Sequence, residues 1–184
     1  MQPPYPKEFD EALKSVCHGK TAEYEYARIL ENADLTADFI QQRLTSKLDW
    51  YEKHKAECRL SPGESWQDMV LRVMYQGNLG IEVPRDGEVI CSRGKLLIVD
   101  WRSWCPILMY CAHRGQATVP VCSVLYHVQF QYLLSLILPG ALFTRDYTRI
   151  RPDASCCREI IFYAGGVSDE ISAASGARAT RRCD

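Results

Sequence analysis

The sequence predicts an α+β fold: a helical N-terminal half followed by a small antiparallel sheet packed with helices. Three observations predict it. Apolar residues recur at helical spacing through about the first 80 positions. The period then changes to short apolar runs around Ser92-Arg93-Gly94-Lys95, a hairpin pattern. Two proline-initiated helical stretches then precede a second pair of strand-like runs, so the helices come first and the sheet later.

Lys7 to Cys17 reads as a helix ended by Gly19, a residue suited to a left-handed C-cap. Thr21 can cap a second helix through Leu30, and Asp34 or Thr36 a third, long one carrying Phe39, Leu44, Leu48 and Tyr51 at near-helical spacing. Ser61-Pro62-Gly63-Glu64 is the clearest start signal: Ser61 can accept from the N3 amide, Glu64 can reach back, and Pro62 sits at N1. The helix behind it carries Trp66, Met69, Val70, Val73 and Met74 on one face and stops at Gly77-Asn78. Glu88 to Cys91 and Leu96 to Trp101 form the hairpin. Pro106 opens a helix ending near His113-Arg114-Gly115, and Pro120 opens an apolar one broken by Pro139-Gly140. Leu142 to Ile150 and Cys157 to Tyr163 read as strands joined across Pro152 to Ser155. Residues 1–163 are thus expected to form one domain, with 1–80 mainly helical and 81–163 built of hairpins plus two helices. The Gly-, Ala-, Ser- and Arg-rich tail over 164–184 is expected to be disordered.

A net charge of −1 gives no electrostatic case for nucleic acid or an anionic membrane surface. The stretch from Val119 to Leu138 mimics a membrane span, but Pro120, Ser123, His127, Gln129, Gln131 and Ser135 suit a core helix better than lipid. The chain opens on a polar, proline-rich segment without a signal-peptide pattern. Its nine cysteines are odd in number and irregularly spaced, so a reducing, cytoplasmic setting with mostly free thiols is expected.

Five of those cysteines, Cys105, Cys111, Cys122, Cys156 and Cys157, crowd into the segment from Trp104 to Tyr163. A thiol serves as apolar filler, disulfide half, metal ligand or nucleophile, and filler is the commonest role for any one alone. No zinc-finger spacing, nucleophile elbow or phosphate loop occurs. Cys156 and Cys157, adjacent on a strand, point to opposite faces, so at most one meets a given pocket. In an α-helix from Pro120, Cys122 shares a face with Leu125, Tyr126 and Gln129. His127, five residues on, lies roughly 140° around, and pairs more naturally with Ser123 and Gln131. Cys105 stands where a helix begins, a setting that favours thiolate, with Trp101 and Trp104 as an apolar wall. His113 is offset by about 80° on the following helix and reaches Cys105 only if the helix end unwinds. His18 and His54, on polar helices, read as solvated. Arg145, Arg149 and Arg151 alternate along one strand face. They are solvated or clamp a carboxylate, with Arg149 and Arg151 ranked lower because the turn at Pro152 splays them outward.

Taken in order, C-P at 105–106, V-C at 121–122, F-x-R at 143–145 and D-x-x-C-C-R-E at 153–159 resemble the L-2-amino-thiazoline-4-carboxylic acid hydrolase-like family. The resemblance covers about residues 100–163. It implies a hydrolase, or a related acid/base rearrangement enzyme, acting on a small sulfur- or nitrogen-containing carboxylate. The family's named activity opens a cyclic amidine-like thiazoline to N-carbamoyl-cysteine. Cys105 is the nucleophile candidate, Cys122, Cys157 and Asp146 are expected to face one pocket, and Arg145 would bind the carboxylate. Trp101, Trp104, Tyr126 and His113 are the remaining substrate-side candidates. Pro152-Asp153 replaces the family's Gly-Asp, and Arg158 stands where the family has an acidic residue, with Glu159 one later. Both departures bear on the substrate more than on the fold. A more distant similarity, to four-vinyl-reductase-type ligand-sensing domains, places Cys122, Asp146 and Cys157 near three zinc-ligand positions. The fourth position is Arg149, whose charge repels zinc. The alternative reading is a non-catalytic small-molecule-binding domain, with a structural zinc only where Cys156 or a histidine supplies the fourth ligand. The expected partner is a small molecule, with room for a homodimer.

Overall fold

The computed structural model describes residues 26–165. The helix expected over Lys7 to Cys17, the cap at Thr21, His18 and nearly all of the expected tail lie outside them. Helix α1 (Tyr26–Glu31) leads into the long α2 (Ala33–His54). The cap of α2 is Asn32, two residues before the nearer expected cap Asp34, and its side chain accepts from the amides of Asp34 and Leu35, each at 3.0 Å. Thr36 instead donates to the Ile29 carbonyl at 2.6 Å, tying α2 back to α1.

The Ser61–Glu64 signal is half used. Glu64 does reach back to the Ser61 amide, at 2.9 Å, but Gly63 takes a φ of 79° that no helix accommodates, so the segment closes a turn. Ser65 then accepts from the Asp68 amide, and α3 begins at Trp66. This helix runs from Trp66–Val70 into a π-helical stretch, Leu71–Leu79, ended by left-handed Gly80.

Strands β1 (Gly87–Arg93) and β2 (Leu96–Trp101) form the expected hairpin, with a bulge between Val89 and Cys91. Helix α4 spans Pro106–Arg114, with Cys105 as its N-cap and Gly115 as its left-handed C-cap. Helix α5 starts two residues before the expected Pro120. It runs through Thr118–Pro120, a π-helical stretch Val121–Tyr126, and His127–Ile137. Among the described residues this helix, Thr118–Ile137, is long and apolar enough to cross a membrane. Its Val121, Leu125, Leu133 and Leu134 are fully buried within the fold.

Strands β3 (Leu142–Arg145) and β4 (Cys157–Phe162) complete a four-stranded antiparallel sheet of order β1-β2-β4-β3. Strand β3 stops five residues short of the expected Ile150 because Asp146 folds the chain over. Its carboxylate accepts from the Thr148 amide at 3.0 Å and the Thr148 hydroxyl at 2.6 Å. The pairs Leu97↔Ile161, Val99↔Glu159, Trp101↔Cys157 and Arg145↔Glu159 fix one sheet face. Helices α3 and α5 cover that face, burying Met69, Val70, Met74, Leu133 and Leu134 against Leu97, Val99 and Ile161. A second cluster gathers Tyr26, Phe39, Tyr110, Val121 and Leu125 beside it. Cys91 is disulfide-bonded, whereas the other six cysteines among the described residues are free.

Candidate functional site

Strand alternation sends Cys157 and Glu159 to the covered face of the sheet and Arg158 to the other. Cys156, the neighbour expected to point away from Cys157, indeed sits beside Asp100 on the opposite side. On the covered face, Arg145 donates from Nε to Glu159 Oε1 at 2.8 Å, both residues being buried. The guanidinium lies 4.6 Å from the Phe130 ring centroid and 5.0 Å from that of Phe143. Burial works against its charge, and Glu159, Cys122 and Tyr147 more than compensate, so Arg145 stays charged.

The pair is incomplete. Arg145 Nη1 and Glu159 Oε2 are buried without a hydrogen-bond partner, and so are the Tyr75 hydroxyl and Trp101 Nε1. These atoms belong to one cluster: the Tyr75 and Trp101 rings are 4.6 Å apart, and Tyr75 feels Glu159, Arg145 and Trp101. The Tyr75 hydroxyl stands close enough to Glu159 and Trp101 to be perturbed by both, yet bonds neither with good geometry. Burial holds the phenol well above its ordinary pKa, so it is a donor at any physiological pH. An unsatisfied buried polar group costs about 1–3 kcal/mol, so four together mark either a site or a place for water.

The cysteines line the neighbourhood of this cluster. Cys105 is the N-cap residue of α4 without a capping hydrogen bond from its side chain, and the nearby amides of Leu108 and Ile107 favour its thiolate. Burial nevertheless outweighs both amides and raises its pKa, which works against the thiolate expected at the helix start. Burial pushes the Cys122 thiol up to about 12, against the opposing charge of Arg145, with Cys105, Cys157 and Cys111 adding to the rise. Cys111 is pushed up to about 11 by burial. Cys157 is placed differently: Arg151 donates to its sulfur at 3.4 Å while its Nη1 holds the Arg102 carbonyl at 3.1 Å. Arg151 thus turns inward, contrary to the expectation that the turn splays it out. Arg149 does point out, with half its side chain exposed.

Several expected site residues lie elsewhere. Asp146 is spent on its own turn and on Arg149, 3.8 Å away, and does not face Cys122 or Cys157. No group of three or more histidine, cysteine or acidic side chains gathers for a metal among the described residues, so the Cys122–Asp146–Cys157 ligand set does not form. Tyr126 packs in the second core cluster, its hydroxyl 2.8 Å from that of Tyr26. Trp104 is 45% exposed and walls nothing. Trp101 is at the site. The His113 side chain lies outside what is described. His127 does not pair with Ser123 or Gln131, because Ser123 bonds the Pro120 carbonyl and Gln131 clamps Ala141 and Phe143. His127 Nδ1 instead lies 3.0 Å from the Tyr147 hydroxyl. The angle that separated it from Cys122 assumed α-helix, whereas Cys122 lies in π-helical turns bonded i→i+5.

Glu159, Tyr75 and Tyr147 were missed. Strand alternation from Cys157 could have found Glu159. The π stretch that turns Tyr75 inward left no mark in the apolar spacing. A surface groove of about 540 Å³, lined by Trp50, Arg59, Pro62, Arg72 and Gln76 among others, contains none of these residues. What fold and site together define is an α+β protein with an incompletely satisfied polar cluster between its sheet and two helices. Compared with family models, curated proteins and solved structures, the chain finds no match.

Proposed function

We propose that the protein is a small-molecule hydrolase, thiazoline-hydrolase-like, acting on a small sulfur- or nitrogen-containing carboxylate held at the Arg145–Glu159 cluster. The observation that carries this reading is the pair's incompleteness: one guanidinium nitrogen and one carboxylate oxygen of the same buried ion pair have no hydrogen-bond partner. Such a doublet complements a ligand that presents a carboxylate to Arg145 and a ring N–H or amino group to Glu159. Tyr75 and Trp101 add donors to it, and Cys157, with Arg151 to balance negative charge on sulfur, is the thiol best placed for chemistry. This replaces Cys105 as first candidate. A cytoplasmic location and a homodimer belong to the same reading.

One observation favours the second reading, a non-catalytic binding domain. Burial raises Cys105, Cys111 and Cys122 alike, which suits apolar lining rather than nucleophiles. Incubation with 2-aminothiazoline-4-carboxylate, followed by chromatography of the opened product, separates the two. Turnover that disappears in Cys157→Ser supports the hydrolase. Saturable binding without turnover, lost in Arg145→Lys, supports the binding domain, and neither turnover nor binding overturns both.

A further inference from the structure

We propose that Tyr147 and His127 form a proton relay opening onto the Arg145 site, Tyr147 meeting the reacting water and His127 holding the proton that it releases. The inference rests on the hydrolase reading. Its geometric basis is the 3.0 Å contact between His127 Nδ1 and the Tyr147 hydroxyl, which joins α5, just past its π-helical stretch, to the turn after β3. The same hydroxyl lies against the Arg145 guanidinium and within electrostatic reach of Cys122. The imidazole is held against Phe143, with ring centroids 5.5 Å apart. Ser123 and Gln131, the other polar groups on that side of α5, are occupied elsewhere. Tyr147 is half-buried, so its hydroxyl bridges the interior cluster and solvent.

The protonation states suit a relay. Burial lowers the pKa of His127, Arg145 lowers it further and Glu159 opposes them. The imidazole is therefore neutral at pH 7, leaving Nδ1 able to accept from the Tyr147 hydroxyl. Burial raises Tyr147, against the pull of Arg145, so the phenol keeps its proton until the relay moves it. The charged and titratable groups facing the imidazole are Arg145 and Tyr147 from β3 and its turn, and Glu159 from β4. In the reaction, water gives a proton to the Tyr147 oxygen as the phenolic proton passes to His127 Nδ1. The electrophilic ring carbon is by then bonded to the Cys157 sulfur, the thiol having attacked it, broken the ring carbon–heteroatom bond and given its proton to the leaving heteroatom. The water oxygen bonds to that carbon and the carbon–Cys157 bond breaks. The Cys157 sulfur then takes the proton back along the same path, and the balance is the addition of one water.

The test is hydrolysis of 2-aminothiazoline-4-carboxylate by the full chain and by Tyr147→Phe and His127→Gln. Each variant should lower kcat on the order of 100-fold with KM nearly constant. His127→Gln should also abolish the acidic limb of the pH profile for kcat/KM. Should either variant fail to fold, nitrogen NMR of the wild-type protein decides: Nδ1 of His127 must be unprotonated at pH 7, and a protonated Nδ1 overturns the relay. Undiminished turnover in a folded variant overturns the relay alone. A wild-type protein without turnover overturns the hydrolase reading, and the relay falls with it.

Discussion

Strand β4 carries two arginine–carboxylate pairs, one on each face of the sheet, and they are built to different standards. Toward the outer face, Arg158 grips Asp100 with both ends of its fork, Nε to Oδ1 at 2.7 Å and Nη2 to Oδ2 at 2.8 Å. Toward the helices, Arg145 gives Glu159 one bond at 2.8 Å, leaving a nitrogen and an oxygen without partners. The outer pair retains access to water, with 21% of the Arg158 side chain exposed. The inner pair has almost none, at 7% and 8%. Burial makes an unmade hydrogen bond more expensive, so incompleteness is found where it costs most. A pair serving stability alone would be expected in the opposite arrangement. The difference is the one that the proposed ligand between the sheet and helices α3 and α5 would account for, by completing the inner pair.

The largest effect should come from splitting the inner pair. Glu159→Ala strands Arg145 in the interior and should cost about 3–5 kcal/mol in urea unfolding. Asp100→Ala leaves Arg158 free to turn to water and should cost about 1.5–3 kcal/mol. Equal costs, or the reverse order, would break the comparison at its base.

Ligand binding sharpens it next. Arg145→Lys keeps the charge and loses the fork, so affinity or turnover should fall by about 1–3 kcal/mol, with some loss of melting temperature because Arg145 also holds Glu159. Arg158→Lys should leave binding unchanged. Calorimetry with a thiazoline carboxylate on both variants reads the contrast directly. Weakened binding in Arg158→Lys would place the ligand on the wrong face.

Much of the frame behind these contrasts was legible in the sequence. The hairpin about Gly94, the Pro106 helix and its Gly115 stop, and the break at Pro139-Gly140 follow from local chemistry, where one residue's φ or missing N–H decides the outcome. Boundaries failed where a side chain overrode propensity, as Asn32 did at the start of α2 and Asp146 at the end of β3. Cys105, Cys122, Cys157 and Arg145 lie within electrostatic reach of one another, with Trp101 paired to Cys157. Glu159 and Tyr147, on which the proposed chemistry rests, were passed over. Their roles come from long-range register and from a turn, neither of which leaves a periodic trace. The setting of Cys105 was only half legible for another reason. A helix start is visible in sequence, whereas the burial that outweighs it is a property of the packed fold.

Thiol reactivity offers a smaller but cleaner contrast around the inner pair. With iodoacetamide at pH 7.5, Cys122 and Cys111, pushed up to about 12 and about 11, should label very slowly in the native state. Cys157, half-buried beside Arg151, should label ahead of both, and a bound thiazoline carboxylate should protect it. Peptide mass mapping over a time course gives the order. Labelling led by Cys105 would restore the helix start as the reactive position.

The smallest expected effect lies on the outer pair and is read by pH. The hydrogen bonds from Arg158 are the chief cause holding the Asp100 carboxyl below the usual aspartate range; burial opposes them, and the Cys156 thiol adds to the lowering. A carboxyl depressed on folding contributes stability that is fully present above its unfolded value, about 3.9. That contribution is lost as pH falls through the lower folded value. Wild-type stability should therefore decline below about pH 4, and Asp100→Asn should flatten that part of the curve. The difference should be on the order of 1 kcal/mol, given that Arg158 is partly hydrated. Urea midpoints at intervals from pH 6 down to pH 3 measure it. If the two curves stay parallel over that range, the bidentate grip does not hold in solution, and the outer pair no longer serves as the complete counterpart against which the inner one is judged.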